Sequence, residues 1–244
     1  MILILLLILV NFAFSQNPDE IVRKSIAVVE ENDKRIETVS GEFDLKVAIN
    51  YDLTVKKGNY EFIYAVKFEN GFIKERKLVK VPKKVDSTTL MIAKQIERRR
   101  QSDSLKIKTL VFPFLRVRGN ISERKVDYKF IGFDKINDKT CFLIGVSYKI
   151  KSDTAESEGQ GKIWIDERSY VPLRCEYDVT YETKRFGRTQ NKQFLDVSKI
   201  EDLFFPARNE VQVFPKVLFI KFGTIKVVYE ANNFKIKNKL GEAP

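Results

Sequence analysis

The sequence predicts a mainly β protein of the α+β class. About ten antiparallel strands would form a strongly curved sheet or partly closed barrel, with one helix ahead of them and a second inserted among them. Three observations carry this. Apolar residues recur at every second position over long stretches from Gly41 onward. Two shorter segments, near the N-terminus and around Leu90, space them as a helix does. Turn-forming dipeptides such as Asn70-Gly71 and Asn137-Asp138 separate the alternating runs.

The chain begins MILILLLILVNFAFSQ. A bilayer-spanning helix needs about 20 apolar residues, and this run is shorter. It fits the apolar region of a secretory signal peptide, with Ala13-Phe14-Ser15 as a small-x-small cleavage site. No Lys or Arg precedes the apolar run, so Met1 supplies its positive charge through the terminal amine. Removal of residues 1–15 from the 244 leaves 229, enough for one large β domain over 16–244. No Ser/Gly/Pro-rich linker divides it, and no Cys near the cleavage site marks the chain for lipidation.

Asn17-Pro18-Asp19-Glu20 is a helix start: Asn17 caps, Pro18 suits the first turn and Glu20 completes a capping box. Ile21, Val22, Ile26 and Val29 follow at helical spacing, which predicts a helix over about 18–35. From Gly41 the period becomes two. Phe43, Leu45, Val47 and Ile49 alternate with Glu42, Asp44, Lys46 and Ala48. Tyr60, Phe62, Tyr64, Val66 and Phe68 repeat the pattern after a turn expected at Lys57-Gly58-Asn59. Phe72 to Val81 follows the Asn70-Gly71 hairpin turn. These read as antiparallel strands with one apolar face.

Pro82 stops that run, and Ser87 is the expected N-cap of a second helix over about 87–101. Leu90, Met91, Ile92, Ala93 and Ile96 give it an apolar side, and Arg98-Arg99-Arg100 end it where cations suit the dipole. Leu105 to Leu115 is expected to be extended around Pro113. Strands are then predicted near 121–134, 138–151, 159–166, 170–183, 188–200, 207–214 and 224–230. Their turns fall at Asn137-Asp138, Asp166-Glu167 and Phe186-Gly187, with Phe204-Phe205-Pro206 in a bend. Strands on the order of 30 Å long suit strong curvature rather than a flat platform.

The net charge of +11 is uneven: from Lys74 to Lys108 twelve Lys/Arg stand against four Asp/Glu, a net of +8. Such a stretch meets an anionic membrane surface or an acidic envelope protein, or is simply a solvated face. Nucleic acid is not a predicted partner, since the chain is read as exported and no nucleic-acid-binding motif accompanies the charge. An exported pair of cysteines, Cys141 and Cys175, invites a disulfide. In a meander their strands are second neighbours, about 10 Å apart, whereas a disulfide needs Cα atoms within about 7 Å. A bridge requires the sheet to curl enough to bring both inward.

The chain contains no His. This removes the commonest general base, most zinc sites and every Ser-His-Asp or Cys-His arrangement. No phosphate-binding loop is present, and Gly159-Gln160-Gly161 is a lone G-x-G at a strand start. A glycosidase needs two facing carboxylates. Here Asp166 and Glu167 fall at a turn, Glu176 and Asp178 alternate along a strand, and Glu201-Asp202 read as a turn. No catalytic residue, cofactor or metal is predicted, and the chain reads as a non-enzyme.

What remains is apolar surface, with 19 Phe and 9 Tyr, many at alternating strand positions. That face is either plain core or the wall of a hollow. A fatty chain of about 16 carbons buried there would supply roughly 10 kcal/mol, at about 0.8 kcal/mol per methylene and before ordering costs.

Four segments then resemble the LolA-like superfamily of bacterial periplasmic proteins, which includes lipoprotein carriers of the LolA and LolB type and lipid-sensing RseB-type proteins. They are IVRKSIAVVEENDKRIETVSGEFDLKV (Ile21–Val47), DYKFIGFDKINDKTCFLIGVSYK (Asp127–Lys149), GKIWIDERSYVPLRCEY (Gly161–Tyr177) and IEDLFFPARNEV (Ile200–Val211). The hairpin around Trp164 is the most distinctive. The resemblance implies an unclosed, strongly curved antiparallel barrel in the periplasm, with helices over its mouth. Its hollow would hold acyl chains of lipoproteins or other lipids, as in outer-membrane lipoprotein sorting, or it would act as an envelope sensor on a protein partner. On that view Phe43, Leu45, Val47, Phe62, Tyr64 and Val66 line the hollow. Its further wall is Trp164 or the opposite Ile163/Ile165 face, Leu90, Met91 and Ile92 belong to a lid, and Arg98, Arg99 and Arg100 face anionic headgroups. The chain departs from the carriers in its extra length around 70–115.

Overall fold

A computed structural model describes residues 16–54, 56–98, 104–116, 119–183, 187–214, 216–217, 220–221 and 223–238. The expected signal peptide, Arg99 and Arg100 lie outside the described residues. Helix α1 (Pro18–Ile36) starts as its sequence dictates. The Asn17 side chain accepts a hydrogen bond from the Asp19 amide at 3.0 Å. Acidic Asp19 and Glu20 sit in the first turn and basic Lys34 and Arg35 in the last, each favoured by the helix dipole there. Its buried stripe runs from Ile21 and Val22 through Val29 to Ile36.

Strands β1 (Val39–Leu53), β2 (Lys56–Glu69) and β3 (Phe72–Lys80) form a meander. After helices comes a second meander: β4 (Ile121–Ile136), β5 (Lys139–Ser152), β6 (Ala155–Asp166), β7 (Pro172–Thr183), β8 (Gly187–Ile200) and β9 (Leu203–Phe214). The two short strands β10 (Lys216–Val217) and β11 (Ile220–Lys221) pair with each other, and β12 (Gly223–Asn238) returns to the main sheet. The order β3-β2-β1-β12-β9-β8-β7-β6-β5-β4 makes one antiparallel sheet of ten strands whose two ends do not pair, so the barrel stays open. β12 joins the meanders by pairing with β1 on one side and β9 on the other. Two-residue turns fix the register, with Asn70 and Gly71 at φ 56° and 76°, and Asn137 and Asp138 at φ 48° and 64°. Those left-handed pairs match the twist of the strands they join.

Because β3 and β4 are opposite edges, the chain between them must cross a face of the sheet. It crosses the inner face. It does so as α2 (Ser87–Arg98), then α3 (Lys108–Val111), then a 3-10 turn (Pro113–Leu115). Phe72 first bridges to Ser104 at the β3 edge, with the Leu105 amide donating to the Gly71 carbonyl at 2.9 Å. The core divides in two beneath this cover. One cluster joins α1, α3 and the 3-10 turn to the inner faces of β5–β8. The other joins Ile36, Ala93 and Leu105 to β1–β3 and the start of β9.

Four local expectations are corrected. The reversal expected at Lys57-Gly58-Asn59 lies earlier, since Leu53 already pairs with Lys56. Gly58 is needed there for space, because a Cβ would stand 2.4 Å from the Tyr51 ring. Asp86, not Ser87, caps α2: its carboxylate accepts from the Thr89 amide at 3.0 Å and the Thr89 hydroxyl at 2.7 Å. Within Leu105–Leu115, expected to be extended, Lys108–Val111 and Pro113–Leu115 are helical, and Asp33 accepts from the Ile107 and Lys108 amides at 2.9 and 3.1 Å and so caps α3 from α1. Phe204-Phe205-Pro206 is strand rather than bend; Pro206 sits where the β8–β9 register shifts beside Val197, and such an irregularity tolerates the missing amide donor.

Candidate functional site

The inner faces of β5–β9 leave a hollow of about 420 Å³ beneath α3 and the 3-10 turn. Strand register explains its walls. On β7 and β8, Val179 faces Asn191, Tyr177 faces Gln193 and Cys175 faces Leu195, all toward the inside. On β9, Val213, Val211 and Asn209 continue those rows. Leu110 and Pro113 roof the space, Ile121 and Ile150 close its flank, and exposed Arg116 and Tyr181 stand at its margin.

The roof is tied down by polar contacts. The Tyr177 hydroxyl donates to the Val111 carbonyl at 3.0 Å, deep under α3. Phe114 packs edge-on against Tyr128 and tilted against Tyr148, with ring centroids 5.9 Å apart in each case. Burial pushes the Tyr128 hydroxyl up to about 12 and holds the Tyr177 and Cys175 groups well above their ordinary values. Burial likewise raises Asp33, against the pull of the two amides it caps. Among the described lining residues there is no carboxylate and no lysine; Arg116 is the sole formal charge. Three amides, Asn191, Gln193 and Asn209, interrupt the apolar wall, and the Asn191 Oδ1 is buried without a hydrogen-bond partner among the described residues.

This arrangement suits enclosure of an apolar ligand. Of the carboxylates weighed for catalysis, Asp166 and Asp178 have structural partners. Asp166 Oδ1 accepts from the Arg168 and Ser169 amides and the Ser169 hydroxyl, holding the β6–β7 turn. Asp178 lies 3.7 Å from Lys192 on the outer face. A larger depression of about 650 Å³ runs along that outer face, lined by mixed charges and amides around Gly145. It differs from the inner hollow in its charged lining, which includes Lys162, Glu176, Asp178 and Lys192. Among the described residues no group of His, Cys, Asp and Glu could hold a metal. Cys141 and Cys175 are both free and buried; they belong to different core clusters, with β6 between their strands.

The residues singled out from sequence sit elsewhere. Phe43, Leu45, Val47, Phe62, Tyr64 and Val66 all face inward and come together, but as close-packed core beneath α2. Phe43 stacks on Phe234 at 4.7 Å, and the Tyr64 hydroxyl donates to the Ala93 carbonyl at 3.0 Å. None of the six lines the hollow. At the hairpin Ile163 and Ile165 face inward, fully buried. Trp164 takes the opposite face with Leu143, where its indole N–H donates to Asp134 at 2.8 Å. In α2, Leu90 is half-buried and Met91 is 53% exposed; Ile92 and Arg98 lie in the same helix. The hollow's own lining was readable only as alternation: Thr189, Asn191, Gln193, Leu195 and Val197 share one face of β8. Amides in that row were the available signal.

No protein-family model matches the chain, and no curated protein matches it. Among solved structures it is similar to a LolA superfamily protein from Nitrosomonas europaea, at 11% identity over 89% of this chain and 94% of that one, with a TM-score of 0.31. It is also similar to an outer membrane lipoprotein-sorting protein domain from Vibrio parahaemolyticus, at 8% identity over 89% and 94%, with a TM-score of 0.36. A third likeness is to MucB in its complex with MucA, at 8% identity over 92% and 100%, with a TM-score of 0.25. At such identity and overlap these structures transfer no residue role to this chain.

Proposed function

We propose that this is an exported, non-enzymatic protein that binds lipid, or the acyl part of a lipoprotein, in the inner-face hollow, and that it acts as a carrier in the periplasm. Sorting of outer-membrane lipoproteins is the task this reading fits. The observation that supports it is the hollow itself: about 420 Å³, within the range of small-ligand sites, with aliphatic and uncharged polar walls and Arg116 as the one charge among the described lining residues. The first 15 residues support export. On this reading Leu90, Met91 and Ile92 of α2 would belong to a lid, and the run Arg98, Arg99 and Arg100 would meet anionic headgroups. The wall of Phe43, Leu45, Val47, Phe62, Tyr64 and Val66 would meet cargo only with α2 displaced, since that helix covers it.

Native mass spectrometry of the mature protein, purified without detergent, tests this. A bound mass in the lipid range, lost in Val211→Trp, is the expected result. A clean apo mass together with no uptake of a fluorescent fatty acid overturns it.

A second reading, an envelope sensor or scaffold with a protein partner, is favoured by one feature. Strand β3 is an end strand of the described sheet and exposes Lys74, Lys77 and Lys80 against a single acidic residue, Glu75, and such a basic surface suits an acidic partner. Salt-sensitive capture of one envelope protein, with no lipid bound, would select this reading.

A further inference from the structure

The inner face of the sheet is apolar along β5 to β7 where it meets the roof: Ile144, Val146 and Ile150, then Ile163 and Ile165, then Cys175 and Val179. On β8 and β9 the same face carries Asn191, Gln193 and Asn209. Strand register sets these among Val179, Val211, Val213 and Leu195, so the three amides cluster on β8 and β9, apart from the hydroxyls of Thr109, Ser152 and Ser157 that also line the hollow. Among the described residues no donor bonds the Asn191 carbonyl oxygen, which is buried. A buried acceptor left unmatched costs free energy, and a donor brought to it recovers that cost.

Resting on the lipid-binding reading above, we infer that the hollow selects a single-chain amphiphile whose head is neutral and donates a hydrogen bond to Asn191 Oδ1, such as a fatty amide or a monoacylglycerol. The chain lies along the aliphatic wall under Leu110 and Pro113, and the head meets the amide spot. A fatty carboxylate is disfavoured. It carries no proton for Asn191 Oδ1, and the only cationic lining side chain, Arg116, is exposed at the margin, so the charge would be desolvated without a partner.

The test is calorimetric titration of the full mature protein with four probes sharing one lauroyl chain: lauramide, N,N-dimethyllauramide, monolauroylglycerol and laurate. Lauramide should bind about tenfold tighter than its dimethyl form, which lacks the donor. Asn191→Leu should remove that difference, so that lauramide and its dimethyl form bind alike. Asn191→Val, an ordinary strand residue, serves if the leucine variant does not melt cooperatively. The preferred donor, amide N–H or glycerol O–H, is read from lauramide against monolauroylglycerol. Equal affinities for all four probes, unaltered by the Asn191 variants, overturn the inference and leave lipid binding standing. Laurate binding tightest, with loss in Arg116→Ala, overturns it in favour of a charged head at the margin. No binding of any probe overturns both this inference and the lipid-binding reading.

Discussion

The Asn32 side chain bonds the Phe204 backbone in both directions, donating from Nδ2 to the carbonyl at 2.9 Å and accepting the amide at 2.8 Å on Oδ1. One amide on α1 thus pairs with β9 as a strand neighbour would. It fixes where the helix lies on the sheet, and so where the two halves of the core divide. Replacing Asn32 by Leu leaves both backbone groups of Phe204 unmatched. The expected cost is about 2–4 kcal/mol, read as a lower denaturant midpoint with unchanged slope. An unaltered midpoint would show that the pair does not hold the helix.

Core and hollow should separate under mutation. Phe62 is fully buried in the packed half, so Phe62→Ala is expected to cost about 3–5 kcal/mol while the folded fraction keeps its affinity for a fatty probe. Val211→Trp should do the reverse, with probe affinity falling about tenfold or more and stability little affected. Loss of binding in Phe62→Ala with affinity kept in Val211→Trp would place the cargo under α2 instead.

Alkaline pH should destabilise the fold through groups that burial keeps neutral. Burial, then the Asp166 charge, push Cys141 up to about 11, and burial raises Cys175 and Tyr177 as well. A folded-state value above the unfolded one contributes stability that is full below the unfolded value and lost as pH rises through the folded one. The melting temperature should therefore hold up to the ordinary thiol value of 9.0 and fall beyond it. Cys175→Val should remove part of that fall. Both thiols should resist a thiol reagent until the protein unfolds, and prompt reaction of either at neutral pH would contradict their burial.

Acid should act first on the start of α2. The Thr89 hydroxyl and amide hold Asp86 well below the usual carboxylate range, with Lys56 adding to them. A depressed value contributes stability present above the unfolded value of 3.8 and lost as pH falls below it. Hydrogen exchange in α2 should rise on acidification before exchange in β5–β7 does. Asp86→Ala should show the same fast exchange at neutral pH, and protection unchanged in that variant would remove Asp86 as the cap.

The strands were legible because their signal is local. A period of two in Phe43–Ile49 or Tyr60–Phe68 follows from backbone geometry alone, and Asn70-Gly71 and Asn137-Asp138 are among few dipeptides that accept two left-handed residues. Gly58 misled because a glycine can serve a turn or a crowded strand, and only Tyr51, seven residues away, distinguishes them. Leu105–Leu115 misled for a similar reason. Its helical turn is capped by Asp33, more than seventy residues earlier. The candidate site was the least legible. Alternation identified Phe62 and Tyr64 as inward, but inward aromatic residues line a hollow or fill a core with the same pattern.

By itself the sequence determined the ten strands of the main sheet, the α1 helix with its Asn17 cap, the Asn70-Gly71 and Asn137-Asp138 turns and the lack of any histidine. Each depends on residues within a few positions of one another. The tertiary structure decided which half of the sheet is filled and which is open. That choice was made by the crossing from β3 to β4: α2 seals Phe62 and Tyr64 through Ala93, while the shorter α3 and its 3-10 turn bridge β5–β9 without filling the space beneath. Whether apolar side chains become core or cavity wall depends on the volume of what lies across from them, and that is set by contacts between residues far apart in the chain.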